Sequence, residues 1–191
     1  MKNTPAELWL IRHGETAWSL SGAHTGSTDL PLTPEGEEKA RALASKLAGH
    51  RFSLVLTSPM QRARRTCELA GLSSQAQSDP NLCEWNYGAY EGLTTDDILR
   101  DRPDWSLFRD GAPGGETIDQ VAVRAEAVIH RALQAGGDVA LFAHGHILRI
   151  LAARWLALAP ADARLFALGT ASISKLGHEH ENRVIVEWNL A

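Results

Sequence analysis

Three short segments carry residue types suited to capturing a multiply charged oxyanion: Arg12-His13-Gly14, Thr57-Ser58-Pro59 followed by Arg62, and His144-Gly145-His146. The planar fork of an arginine donates to two phosphate oxygens at once and stays charged at any working pH. A neutral imidazole can attack phosphorus, and a covalent phosphohistidine, which splits one hard displacement into two easier ones, is the most economical chemistry for such a set. A departing alkoxide also needs a proton. Glu84, in Leu82-Cys83-Glu84-Trp85, sits among apolar and aromatic neighbours, a setting that suits a general acid. His144 and His146 alternate as metal ligands sometimes do, but no carboxylate or thiolate lies close by in sequence, and no metal or cofactor is expected.

The elements that must position these groups are legible in the apolar pattern. Glu7 to Arg12, Ser53 to Thr57 and Asp138 to Ala143 read as buried parallel strands, and each stops abruptly at one of the three polar segments. Thr33 and Pro34 open a helix as N-cap and first helical residue, with Gly49 as its stop. Another helix follows Pro59, Thr117 caps a third that ends before Gly136-Gly137, and the helix after His144 is apolar almost all round. Two further strands are expected near 171–176 and 183–188. Residues 71–82 read as a polar connection, and 84–92 as an aromatic, glycine-rich turn. Strands alternating with helices predict an α/β sandwich of three layers around a mainly parallel sheet, with ligands beyond the carboxyl ends of the strands. A helical insertion over about 85–135 is expected to cover that edge.

At 191 residues, with 44% hydrophobic and 22% charged, the chain is expected to be one domain over 1–191 with a core of its own. A net charge of −4 argues against a nucleic-acid partner. Met1-Lys2-Asn3-Thr4-Pro5 leads into an apolar run too short for a signal peptide or a membrane span, and Cys67 and Cys83 lack the spacing of a zinc site. A cytoplasmic protein that does not engage membranes is therefore expected. Oligomeric state is not encoded in any visible pattern.

The segments Leu10-Ile11-Arg12-His13-Gly14-Glu15-Thr16, Thr57-Ser58-Pro59-Met60-Gln61-Arg62-Ala63, Leu82 to Gly92 and Phe142-Ala143-His144-Gly145-His146 resemble, in order, the motifs of the histidine phosphatase superfamily, also called phosphoglycerate mutase-like. The resemblance implies that His13 is the nucleophile, that Arg12, Arg62 and His144 hold phosphoryl oxygens, and that Glu84 is the proton donor. His13 would then be neutral and His144 largely protonated. The loop Trp18 to Thr33, with 105–111 and His144 to Arg149, resembles the fungal sedoheptulose-1,7-bisphosphatase branch. That narrower resemblance implies substrate contacts from Ser58, Arg149 and, loosely, His178, and from His24, Thr25 and Gly26 in the loop, with His24 standing where the branch has tyrosine.

Arg149 lies early in an apolar helix and needs an anionic partner, either a distal substrate phosphate or a carboxylate such as Glu91. Trp9, Trp155 and Trp188 read as core, and Trp18, Trp85 and Trp105 as candidate pocket walls. The expected function is a metal-independent phosphomonoesterase acting on a small phosphorylated metabolite, for instance a sugar bisphosphate such as sedoheptulose-1,7-bisphosphate. A phosphoglycerate mutase is the nearest alternative, although no lysine lies between Glu84 and Thr117. A phosphoprotein phosphatase or a non-catalytic phosphate-binding module is the alternative of another kind.

Overall fold

In the computed structural model, which describes residues 6–191, a six-stranded sheet has the order β3-β2-β4-β1-β5-β6. Met1 to Pro5, on which part of the signal-peptide expectation rests, lie outside the described residues. The strands are β1 (Leu8–Arg12), β2 (Leu54–Thr57), β3 (Ala76–Ser78), β4 (Val139–Ala143), β5 (Ile173–Glu179) and β6 (Asn182–Leu190). The helices are α1 (Ala17–Ser21), α2 (Pro34–Leu47), α3 (Gln61–Leu69), α4 (Thr95–Asp101), α5 (Leu107–Asp110), α6 (Ile118–Leu133) and α7 (Gly145–Trp155).

Strands β1 to β4 run parallel, with Arg12 opposite Ala143 and Thr57 opposite Phe142, so the residues following β1, β2 and β4 emerge at one edge. Strand alternation divides the core into two layers. Trp9, Ile11, Val55, Ala140 and Phe142 face α2 and α3 through Leu43, Leu47, Cys67 and Ala70. Leu8, Leu10, Leu56, Leu141 and Ala143 face α6 and α7 through Val121, Val128, Ile147 and Leu151.

Local chemistry starts the helices where the sequence says it should. Thr33 accepts from Gly36 N at 3.0 Å and Pro34 fills the first position, while Thr117 and Gln120 form a reciprocal capping box; each such cap contributes on the order of 1 kcal/mol. Gly14 is fixed by a different constraint. A Cβ there would stand 2.5 Å from the Gly36 carbonyl oxygen, so only glycine lets the turn after His13 lie against the start of α2.

Three elements differ from the sequence reading. Residues 76–78, expected in a connection, form an edge strand of three residues whose middle and last side chains are exposed, too short and too polar to show a strand period. The loop 15–32 contains the single turn α1, capped by Thr16. Of the segment expected to cover the strand edge, the residues that line the cavity lie between Tyr87 and Phe108, whereas the long helix α6 packs against α7 in the flanking layer.

Candidate active site

His13 stands just past β1 and is 4% exposed. Its Nδ1 lies 2.6 Å from the Gly14 carbonyl oxygen, which can only accept, so Nδ1 carries the proton and Nε2 keeps its lone pair. Burial, then the charges of Arg12 and Arg62, push the His13 pKa well below 6.5. His13 is therefore neutral and of fixed tautomer before any substrate arrives.

The His144 ring lies beside it, 5.1 Å between centroids. Arg62 Nε donates to His144 Nδ1 at 3.0 Å, and since a guanidinium cannot accept, Nδ1 must be bare and the His144 proton must sit on Nε2, 2.8 Å from Ser58 Oγ. Burial first, then Arg62, hold this imidazole well below 6.5 as well. The expectation that His144 is largely protonated is thereby corrected: its second nitrogen is taken by an arginine donor, and a cation there would lose that bond.

Arg62 is wholly buried. It donates to the carbonyl oxygens of Thr28 at 2.9 Å, Thr25 at 3.2 Å and Gly26 at 3.0 Å as well as to His144. The loop is held from its other side by Glu91, whose carboxylate accepts from Gly26 N (3.0 and 3.1 Å) and Thr28 N (2.9 Å). Ser58, Arg62 and His144 are thus fully buried next to His13, while Arg12, His13, His24, Thr25, Glu84 and Arg149 stand on the wall of a cavity of about 400 Å³. Gly26 contributes through its backbone bonds to Arg62 and Glu91. Arg12 donates to the Leu168 carbonyl through Nη1, and its buried Nε has no partner among the described residues.

Glu84 is positioned by α7. Its carboxylate accepts from Trp85 N, His146 N and Ile147 N, each at 2.9 Å, and so supplies the cap that the first turn of α7 lacks from its own N-cap residue. The apolar surroundings expected from its neighbours are joined by three backbone donors that come from 62 and 63 residues away as well as from next door. The carboxylate both caps the helix and faces the cavity.

Arg149 leans over the Phe108 ring, 4.8 Å from its centroid, and donates to the carbonyl oxygens of Ala163 at 3.1 Å and Arg164 at 3.3 Å. Glu91, one of its two expected partners, is instead bonded to Gly26 and Thr28. The assignment of His178 to the substrate site is overturned. Strand β5 runs antiparallel to β1, pairing Ile173 with Ile11 and Leu176 with Leu8, so residue 178 falls beyond the opposite edge of the sheet from His13. There it packs against Trp155, 5.1 Å between rings. Of the tryptophans offered as pocket walls, Trp105 lines the cavity, Trp85 is buried with its indole donating to Glu116 O, and Trp18 packs against Gly92. Trp9 and Trp155 are core, and Trp188 is only partly buried.

The sequence reading singled out the segment of His146 but gave neither it nor Tyr87 a place in the pocket; both line the cavity, and their side chains meet at 2.6 Å between Nδ1 and the phenol oxygen. A pairing 59 residues apart leaves no local signature. Among the described residues no group of three His, Cys, Asp or Glu side chains converges as a metal-ligand set, and no helix is long and apolar enough to cross a membrane.

Two imidazoles backed by arginine at the carboxyl edge of a parallel sheet define an α/β protein of the phosphoryl-handling kind. Residues 8–191 match the histidine phosphatase superfamily (branch 1); the chain belongs to that family and is a phosphatase of it. It is 43% identical over 178 residues to an acid phosphatase of Mycobacterium tuberculosis, covering 91% of this chain and 87% of that one. It is 39% identical over 182 residues to the sedoheptulose 1,7-bisphosphatase of Saccharomyces cerevisiae, covering 78% and 67%. A solved structure of an open reading frame from Mycobacterium tuberculosis superposes with a TM-score of 0.93 at 39% identity, over 97% of this chain and 98% of that one.

Proposed function

We propose that the chain hydrolyses a small phosphorylated metabolite of the sugar phosphate or sugar bisphosphate class, through a phosphohistidine on His13 and without a metal. The observation that carries this reading is what lines one cavity: a neutral, oriented His13 with Arg12, and Arg149, which among the described residues is bonded to carbonyl oxygens and stacked on Phe108. A cavity of about 400 Å³ suits a metabolite rather than a folded protein. Sedoheptulose-1,7-bisphosphate is a specific candidate because the yeast relative bears that name.

In the first step His13 Nε2 forms a bond to phosphorus as the ester P–O bond breaks, and protonated Glu84 gives its proton to the departing alkoxide. Arg12 takes phosphoryl oxygens through its unpartnered Nε face, and His144 exchanges its Ser58 contact for an equatorial oxygen, with Arg62 fixing the tautomer behind it. In the second step Glu84 takes a proton from water as the water oxygen attacks phosphorus and the N–P bond breaks, returning His13 and releasing phosphate. A cytoplasmic setting accords with the two unpaired thiols, Cys67 and Cys83.

The test is phosphate release in the presence of EDTA from sedoheptulose-1,7-bisphosphate, fructose-1,6-bisphosphate, phosphoglycerates and phenyl phosphate, compared with His13→Ala. The expected result is EDTA-resistant turnover that is lost in the variant, with bisphosphates preferred. Turnover that survives the substitution, or isomerisation of phosphoglycerate without net phosphate release, overturns the reading.

A further inference from the structure

Between Glu84 and Arg149 the cavity wall is formed by a residue for which phosphohistidine chemistry has no task. His146 occupies the first turn of α7. Its backbone N–H donates to Glu84 Oε2 at 2.9 Å, and its ring Nδ1 lies 3.8 Å from that same oxygen. The ring therefore stands next to the carboxylate that faces the leaving oxygen.

Its orientation is fixed. Tyr87, 2% exposed, holds Nδ1 at 2.6 Å and packs nearly perpendicular to the imidazole, while Trp85 and Phe108 close on it at 6.3 and 5.4 Å between ring centres. With Nδ1 taken, Nε2 is the one polar atom of the side chain left, and it has no partner among the described residues. The His24 ring lies across from it, 6.4 Å away and nearly parallel.

The pair is uncharged. Burial, then Arg149, push the His146 pKa well below 6.5, and burial, then Glu84, push the Tyr87 phenol well above 10. One phenolic hydrogen then sets the polarity of the cavity face. If Tyr87 donates to Nδ1, Nε2 carries a proton and donates; if Nδ1 donates to Tyr87, Nε2 offers a lone pair. A group that can both donate and accept suits either arrangement. A carboxylate suits one only and gains no charge attraction from it.

We propose that His146, oriented by Tyr87, is a specificity-determining residue that reads an uncharged oxygen, hydroxyl or carbonyl, carried by the leaving alcohol close to its ester oxygen. This rests on the metabolite-phosphatase reading and narrows it to polyol or ketose esters. His146 lines the same cavity as His13, Glu84 and Arg149 and stands against Glu84, so the residue meets the part of the substrate that carries the leaving oxygen.

The experiment compares kcat and KM for a hydroxylated sugar phosphate and for phenyl phosphate, which has no such oxygen, in wild type, His146→Phe, His146→Gln and Tyr87→Phe. The expected result is that the sugar-over-phenyl ratio of kcat/KM falls at least about tenfold in His146→Phe, mainly through KM. It recovers in part with His146→Gln, whose amide both donates and accepts, and falls less in the near-isosteric Tyr87→Phe. A ratio unchanged in both His146→Phe and Tyr87→Phe overturns the assignment, as does an equal loss on both esters. Wild-type rates alone decide the underlying reading: if no hydroxylated ester is preferred over phenyl phosphate, that reading fails whatever the variants do. Should His146→Phe fail to fold, Tyr87→Phe decides.

Discussion

The two ends of the sheet hold similar parts and do different things with them. Beyond the carboxyl ends of β1, β2 and β4 stand His13, His144 and an arginine stacked on an aromatic ring, Arg149 over Phe108. Beyond the opposite edge stand His178, packed on Trp155, and Arg183, 4.6 Å from the centre of that same indole. Residue types do not separate the two places. The first has three parallel strands delivering polar segments to one line, the start of α7 at the same edge, and a loop tied down by Glu91 and Arg62. The second is made by the hairpin β5-β6, which brings a histidine and an arginine into register opposite each other, His178 with Arg183, as neighbours on adjacent strands. Shared topology, more than shared composition, makes a site.

The sharpest way to break this comparison is to remove one histidine from each end. His13→Ala should lower kcat/KM by at least about a thousandfold, as loss of a nucleophile does, whereas His178→Phe should stay within about threefold of wild type. Steady-state phosphate release from phenyl phosphate measures both, with a thermal melt to show that each variant is folded. Comparable losses at the two positions would mean that the opposite edge reaches the chemistry after all.

A smaller effect tests what holds the site edge together. Glu91 does not line the cavity, yet its carboxylate fixes the backbone of Gly26 and Thr28, whose carbonyls hold Arg62 against His144. Glu91→Gln replaces an accepting oxygen by a donor facing an N–H. That should lower kcat/KM on the order of tenfold, through kcat and to the same extent for phenyl phosphate and sugar phosphate, because the chain of contacts ends at the phosphoryl end. An effect confined to KM of the larger substrate would place Glu91 in substrate contact instead.

How much of this could be read from the sequence follows from which signals are local. The Thr33-Pro34 helix start and the ends of β1, β2 and β4 are written in adjacent residues, so Arg12, His13, Ser58 and His144 could be brought to one edge before any coordinates. Strand β3, at Ala76-Gln77-Ser78, could not be seen, since its pairing with β2 rests on backbone groups alone. His178 was misplaced because it rested on a loose match to the C-terminal part of the fungal branch alone; β5 runs antiparallel to β1 and carries the residue to the far edge. The carbonyl oxygens that hold Arg62 and Arg149, and the backbone N–H groups that hold Glu84, belong to every residue alike and carry no composition signal. The apolar neighbours of Glu84 were legible, and its three donors were not.

The smallest effect concerns charge rather than position. His13, His144 and His146 at the site edge are all held neutral, each with a pKa well below 6.5. In the unfolded chain these imidazoles return to about 6.5. Between that value and the lowered native ones the unfolded state binds protons that the folded state does not, so stability is full above about pH 6.5 and declines as the pH falls below it. Thermal midpoints should therefore drop on acidification from pH 7 toward pH 5, with a shallower slope in His13→Ala, which has one neutral imidazole fewer to protonate on unfolding. The same depression keeps His13, the proposed nucleophile, unprotonated in mild acid, so the acid limb of kcat/KM should lie below pH 6.5, where an ordinary histidine would already be half lost. An acid limb at or above pH 6.5, together with midpoints independent of pH, would show that the site edge is no drier than the far one.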